Sequence, residues 1–462
     1  MEAESKIDIK TFLDDRPLCA FQIRVVLLGL LVLILDGMDT TAMGFVAPAL
    51  VADWKIARVA LSPVFMSGLF GLAVGALAAG PIGDRVGRKA VIVSSVFLFG
   101  FFSLASSFAN DIWTLALLRF LTGLGLGASM PNTATLVSEY APARHRNLMI
   151  TLVYAGFAIG GAMGGVASNV LIELSGWRAV LFAGGVLPIA LGIVMILALP
   201  ESVRFLATRP DKRLAVQRIM QKLAPGVLLA GTVIRTTDDM AGSGRGKVAI
   251  IVGRGYLIGT VSLWVGVFAT LFTLYLINSW LPLMVKDAGM SLGDASLIAT
   301  LGQTGGALGS LAVGWCMDRY SPHKVLCATH VAAGLCALCI AVTERTFIAT
   351  SLLVCAMGYC MNSLNVGYVA LAARFYPTFV RATGTSWEQG IGRFGAISGA
   401  AMGGVLLATG WSFNAVFGAL CVPMAIGMVA ILIKSIFAAD VVNADMPASS
   451  IEDATTFAGE LR

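Results

Sequence analysis

The chain has 462 residues, of which 57% are hydrophobic and only 13% charged, with 52 glycines and a formal net charge of +6. A soluble domain carries about twice that share of charge, so lipid is the main solvent of this chain. That excludes a soluble enzyme or nucleic-acid reader, and the positive balance reads as loop charge that sets orientation in a membrane.

Residues 1–24 mix acids and bases (Glu2, Glu4, Lys6, Asp8, Lys10, Asp14, Asp15, Arg16, Arg24) and read as a polar cytoplasmic tail, with no secretory signal. A helix needs about 20 apolar residues to cross a bilayer core. Six such spans follow at 25–51, 60–82, 90–109, 113–138, 147–172 and 179–199, forming an N-terminal bundle over 25–199. Residues 200–254 are rich in charge, hold the run Gly242-Ser243-Gly244-Arg245-Gly246, and read as a cytoplasmic central loop. Six more spans, at 255–278, 294–316, 325–343, 347–371, 383–408 and 411–433, form a C-terminal bundle over 255–433, and 434–462 is an acidic cytoplasmic tail. The predicted fold class is therefore all-α integral membrane, with twelve transmembrane helices in two six-helix bundles and both termini cytoplasmic. Loop charge supports the count. Lys and Arg crowd the tails, the central loop and alternate turns, whereas the opposite loops hold only Lys55, Arg58, Arg178, Lys286 and Arg345.

The two halves repeat one another. Gly80-Pro81-Ile82-Gly83-Asp84-Arg85-Val86-Gly87-Arg88-Lys89 after span 2 has a weaker copy, Gly314-Trp315-Cys316-Met317-Asp318-Arg319, after span 8. Ala162-Met163-Gly164-Gly165-Val166 recurs as Ala401-Met402-Gly403-Gly404-Val405, and Pro142 and Arg146 are echoed by Pro377 and Arg381. Duplicated membrane bundles are the architecture of secondary transporters, whose sites lie where the repeats meet. Glycines spaced by four (Gly156, Gly160, Gly164; Gly395, Gly399, Gly403; Gly302/Gly306; Gly305/Gly309; Gly71/Gly75) mark close helix packing, and spans 2, 5, 8 and 11 are expected to form the sliding surfaces between halves. The eight cysteines, Cys336-x2-Cys339 included, read as apolar filler, and no cofactor or metal is expected.

These motifs resemble the major facilitator superfamily over nearly the whole chain. Arg119-x3-Gly123-x-Gly125-x-Gly127 in span 4 and Pro200-Glu201-Ser202 after span 6 fit the same family. Within it, Asp36-Gly37-Met38-Asp39-Thr40 with Gly44-Phe45-x-Ala47-Pro48 is similar to the aromatic acid:proton symporters of the hydroxybenzoate and protocatechuate type. So are Ser138-Glu139-Tyr140, Trp280-Leu281-Pro282, Tyr376-Pro377-Thr378-x2-Arg381-Ala382-Thr383-Gly384 and Gly390-x-Gly392-Arg393. The resemblance implies uptake of a benzoate-like carboxylate with protons across a bacterial inner membrane. The expected partners are that small acid, protons and the lipid bilayer, with no nucleic acid, in a monomer. Glu388 departs from the small apolar residue expected in that motif.

A charge inside a bilayer costs about 2.5–3.5 kcal/mol on insertion scales, so each one is a functional candidate. They are Asp36, Asp39, Arg119, Glu388 and Arg393. Asp36 and Asp39 share a helix face. Either can carry the coupling proton or simply bond a neighbouring helix. Arg119 is a partner for a span 1 aspartate and a candidate in coupling. Arg393 suits a carboxylate, which guanidinium holds through two parallel bonds, with a salt bridge to Glu388 as the rival reading. Its repeat-equivalent, Tyr154, is expected on the opposite wall of one cavity. Glu388 reads as a proton site, a brake on Arg393, or a residue near the cytoplasmic end that reaches water. Asn278 and Trp280 in span 7 and Asn365 and Tyr368 in span 10, which also holds Asn362, are candidate ligand contacts.

The charged turns are expected to latch the cytoplasmic gate: Gly80, Asp84, Arg85, Gly87, Arg88 and Lys89, joined by Glu139, Arg144 and Arg146, and echoed by Asp318 and Arg319. The alternatives are an efflux antiporter of the same fold, a carrier of another small organic acid, or a non-transporting sensor. The run Gly160 to Gly165 lacks the proline of many antiporters.

Overall fold

A computed structural model describes residues 6–8, 14, 16–207, 209, 212–223, 233–235, 247–253, 255–344 and 346–437. Arg345, the glycine-rich run of the central loop and the acidic tail beyond 437 lie outside the described residues. Among the described residues, twelve helices are long and apolar enough to cross a membrane. In chain order they are α1 (Ala20–Trp54), α2 (Ser62–Val86), α3 (Arg88–Ser106), α4 (Ile112–Tyr140), α5 (Ala143–Ser175) and α6 (Trp177–Ala198). The second half supplies α7 (Leu257–Asp287), α8 (Leu292–Arg319), α9 (Pro322–Val342), α10 (Phe347–Phe375), α11 (Thr378–Ala408) and α12 (Phe413–Phe437, broken near Leu420). Each expected span overlaps one of these helices, overrunning its end by at most three residues, and most helices run past the span at one or both ends. Hydrocarbon limits the apolar run, whereas the helix continues until a cap ends it. Asp111, Ser291, Thr346 and Ser412 accept from the first free amides of α4, α8, α10 and the start of α12.

An even number of spans puts both ends of the chain on one side, called here the tail face. Short helices at Val203–Ala207, Arg213–Leu223 and Lys247–Ile251 lie in the segment between the halves. Lys6–Asp8 pairs in parallel with Val233–Arg235, a small sheet in an otherwise helical molecule.

Within each half the tightest pairs repeat: α1 on α5 and α2 on α4, then α7 on α11 and α8 on α10. Small residues make these approaches possible. Gly71 and Gly75 lie against the carbonyls of Phe120 and Leu124, and Gly305 and Gly309 against those of Cys355 and Tyr359. Gly160 meets the Ile34 carbonyl, and Gly399 that of Phe272. Lipid gives helices no hydrophobic drive to associate, so backbone contact must supply it. The regularly spaced glycines therefore act mostly inside the halves. Helices α2, α5, α8 and α11 do meet across the halves, as α5 on α8 and α2 on α11, but through other residues.

The halves touch at the end away from the tail face. Gly44 of α1 abuts the Asn278 carbonyl of α7, and Ser296 Oγ donates to the Gly165 carbonyl at 3.1 Å. Phe65 of α2 packs edge-on against Trp280 at 5.0 Å, and Arg58 pairs with Asp287 at 2.8 Å. At the tail face the charged turns bond within their own half, as detailed below. Those far-end contacts close the space between the halves on that side.

Candidate functional site

The two aspartates of α1 sit one turn apart in different surroundings. Asp39 is buried, and its carboxylate accepts from both sides of one interaction shell: Arg119 Nη1 at 3.2 Å and Ser103 Oγ at 2.5 Å. Arg119 is also buried, and its Nε and Nη2 both donate to Ser106 Oγ. α1, α3 and α4 thereby enclose one charge pair whose main donors and acceptors are satisfied inside the N-terminal half. Such satisfaction is what a buried ion pair requires, since desolvation otherwise exceeds the Coulombic gain.

Asp36 is buried as well, yet it pairs with no cation of its own half among the described residues. Its oxygens accept from Thr40 Oγ1 at 3.2 Å and Ser129 Oγ at 2.9 Å. Ser129 Oγ lies equally 2.9 Å from the Leu126 carbonyl. A serine has one proton to donate. The hydroxyl can give it to Asp36, or give it to Leu126 while accepting one from a protonated Asp36. The same heavy-atom geometry holds the carboxyl group in either protonation state.

The charge that Asp36 feels from beyond its half is Arg393 of α11. Arg393 is half-buried and makes no hydrogen bond or ion pair with another described residue. Its field also reaches Tyr154 of α5, whose side chain is 42% exposed. Arg393 of one half thus lies within electrostatic range of Asp36 and Tyr154 of the other.

Three of the candidate contacts lie elsewhere. Tyr368 is fully buried in the C-terminal half, its hydroxyl 3.4 Å from His330 Nε2 and 3.5 Å from the Gly427 carbonyl, so it turns away from the interface. Glu388 is fully buried too, and neither reaches water nor pairs with Arg393. One of its oxygens accepts from Gln389 at 3.3 Å and the other has no partner, with Tyr368 and Tyr376 as its neighbours in charge. The five-residue separation from Arg393 turns the two side chains to different faces of α11. Trp280 is buried, donating to the Ala400 carbonyl at 2.7 Å, and plugs the far end where the halves touch.

Asn278 lines a cavity of about 30 Å³ at that closed end, together with Thr41, Gln303 and Asn362 among apolar side chains. Asn365 is half-buried, one turn along α10 from Asn362 and on the same helix face. The sequence reading passed over Gln303 and the serines that serve the aspartates. Their signal was there, as polar groups inside apolar runs, but an uncharged side chain is too common in membrane helices to stand out. It also passed over His330, and it placed Lys434 in the tail. Lys434 is instead buried in α12, 3.1 Å from His323 and over the ring of Phe375.

The charged turns are built within their halves. Arg88 pairs with Asp84 and reaches Asn132, while Glu201 accepts from the Lys89 amide at 3.0 Å, capping α3. Gly87 joins α2 to α3 at φ +102°, a conformation that L side chains rarely adopt, and the Glu201 carboxylate occupies the place of a Cβ. Glu139 accepts from Ser202 Oγ, and Arg209 donates to the Arg85 carbonyl. Arg146 bonds the Ala141 carbonyl as Arg381 bonds that of Tyr376, the repeat at atomic detail. Asp318 pairs with Arg374 at 2.7 Å, and Arg319 lies over the ring of Trp315. Gly80 faces open space.

A 4-hydroxybenzoate transporter, PcaK of Pseudomonas aeruginosa, is 45% identical over 438 residues, covering 94% of this chain and 97% of its own. A gallate transporter of Pseudomonas putida is 41% identical over 429 residues, covering 93% and 95%. The crystal structure of a D-xylose-proton symporter superposes with a TM-score of 0.71 at 15% identity, covering 92% of this chain and all of that one. The Major Facilitator Superfamily model matches residues 29–260 and 263–453. By that match and these relatives, the chain is a multi-pass membrane protein of the major facilitator superfamily, a family of transporters rather than enzymes, within its aromatic-acid branch.

Proposed function

We propose that this protein imports a hydroxybenzoate-like aromatic carboxylate together with protons, by alternating access. The observation that carries the reading is Arg393: a guanidinium on one half, without a protein partner among the described residues, facing Asp36 and Tyr154 on the other. Guanidinium holds a carboxylate through paired hydrogen bonds, and a tyrosine ring opposite it supplies a surface for an aromatic substrate. Asp36 takes the proton, because its two hydroxyl partners suit both the acid and the carboxylate. Asp39 and Arg119 hold α1 in register. Relatives named for 4-hydroxybenzoate and gallate support the substrate class.

In this reading the halves 25–199 and 255–433 rock about the site, joined by the 200–254 loop, in a monomer of a bacterial inner membrane. The basic turns support cytoplasmic tails, which makes the end where the halves touch the outer one. Asp84, Arg85, Arg88, Glu139, Arg146, Asp318 and Arg319 exchange partners across the halves when the inner side closes, and Gly80 and Gly87 leave them room. The test is uptake of radiolabelled 4-hydroxybenzoate by proteoliposomes with an inward proton gradient. Gradient-driven accumulation that an ionophore collapses, and that Arg393→Ala abolishes with unchanged insertion, is the expected result. Uptake indifferent to the gradient, or intact in Arg393→Ala, refutes it.

A further inference from the structure

The closed end of the cavity carries two carboxamides from different helices of the C-terminal half. Gln303 Nε2 of α8 donates to Asn278 Oδ1 of α7 at 3.2 Å. That bond uses one donor and one acceptor. Asn278 Nδ2 and Gln303 Oε1 remain, and neither bonds another described residue. Exchanging O and N in both amides leaves the same balance, a free NH2 group beside a free amide oxygen.

A phenolic hydroxyl is both donor and acceptor, and so matches this pair. A carboxylate only accepts, and would set its charge against the free amide oxygen. The surroundings agree. The remaining wall is mostly apolar, with Phe45, Leu274 and Phe417 among its residues, and Gly161 leaves the Gln303 oxygen uncovered from the α5 side. The cavity of about 30 Å³ is room for roughly two waters, enough for the polar tip of a ring but not for the ring itself. The ring must therefore lie below, toward the open side, where the charged level is. Thr41 of the cavity wall is five residues beyond Asp36, which is roughly 7.5 Å along α1. That is about the length of a benzoate from its carboxyl group to a para hydroxyl.

We propose that Asn278 and Gln303 form a subsite that reads the para hydroxyl of an aromatic acid whose carboxylate is held by Arg393. This rests on the transport reading above and adds the orientation of the substrate and the origin of its selectivity. A hydroxyl-bearing acid fills both amide valences, whereas benzoate leaves them unpaired, and unpaired buried polar groups are what make such sites selective.

The experiment measures 4-hydroxybenzoate and benzoate half-saturation side by side in proteoliposomes of the parent, Gln303→Met and Asn278→Leu. Benzoate uptake serves as the internal control for folding and coupling. The parent is expected to prefer 4-hydroxybenzoate, and each variant to lose that preference by about tenfold while benzoate changes little. Variants too slow to assay are read by the thermal shift each acid induces in purified protein, with the same ratio expected. A parent indifferent to the hydroxyl, or variants that weaken both acids equally, overturns the subsite and leaves the transport reading standing. A parent that takes up neither acid overturns the transport reading, and the subsite falls with it.

Discussion

Asp39 and Asp36 lie three residues apart on α1 and differ in who answers them. Around Asp39 every main partner belongs to the same half: Arg119, Ser103 and, through the arginine, Ser106. Around Asp36 the half supplies only hydroxyls, and the cation in range belongs to α11 across the cavity. A charge answered within one rigid unit stabilises that unit. A charge answered across a moving interface changes its surroundings whenever the halves move, which is the condition for coupling. The burial of the two is alike, so it is their partners and not their burial that set them apart.

Breaking the enclosed pair should have the largest effect. Arg119→Ala leaves a buried carboxylate without its cation and should destabilise the protein by about 3–5 kcal/mol, seen as loss of folded yield or a lowered thermal midpoint in detergent. Adding Asp39→Asn should restore most of that loss, because the unpaired charge is gone. A stable Arg119→Ala protein would remove the distinction drawn here. Asp36→Asn comes next. It should fold normally and bind substrate, but lose at least tenfold in gradient-driven accumulation while keeping substrate exchange. Should Asp36→Asn still accumulate, and a folded Asp39→Asn protein not, the roles are reversed.

Glu388 sharpens the comparison from the other half. It is enclosed like Asp39 but lacks a cation among the described residues, and one oxygen is orphaned. Glu388→Gln should leave uptake within twofold of the parent and shift stability by no more than about 1 kcal/mol. A collapse of uptake would move Glu388 into the coupling machinery. The smallest effect belongs to the far end. Arg58 and Asp287 are partly exposed, and such pairs contribute about 0–1 kcal/mol. Arg58→Ala should modestly raise labelling of a cysteine placed at the far mouth, and added salt should shrink the difference from the parent.

Much of the fold was legible because its cause is local. Apolar runs of bilayer length, basic turns on alternate ends and a duplicated Gly80 to Lys89 motif required no knowledge of contacts. The close approach of Gly71, Gly75 and Gly160 to neighbouring backbones was also readable from spacing, but which helix each would meet was not. At the site, the five charged residues stood out because charge in lipid is rare. Tyr368 and Glu388 were misplaced because a helical face at the tail end of α10 or α11 looks outward into a cavity or inward to the bundle with the same sequence pattern. Gln303 was missed because a neutral amide has no comparable cost to advertise it.

The amino-acid order on its own determined that this chain crosses a membrane twelve times in two related halves and keeps a handful of ionisable groups inside. Solvation decides those features one segment at a time. Only the folded arrangement decided that Asp39 is closed within its half while Asp36 and Tyr154 come within range of the Arg393 charge, and that Asn278 joins Gln303. Partners far apart in the chain meet through helix rotation and tilt, which packing of all twelve helices sets together and no single stretch encodes.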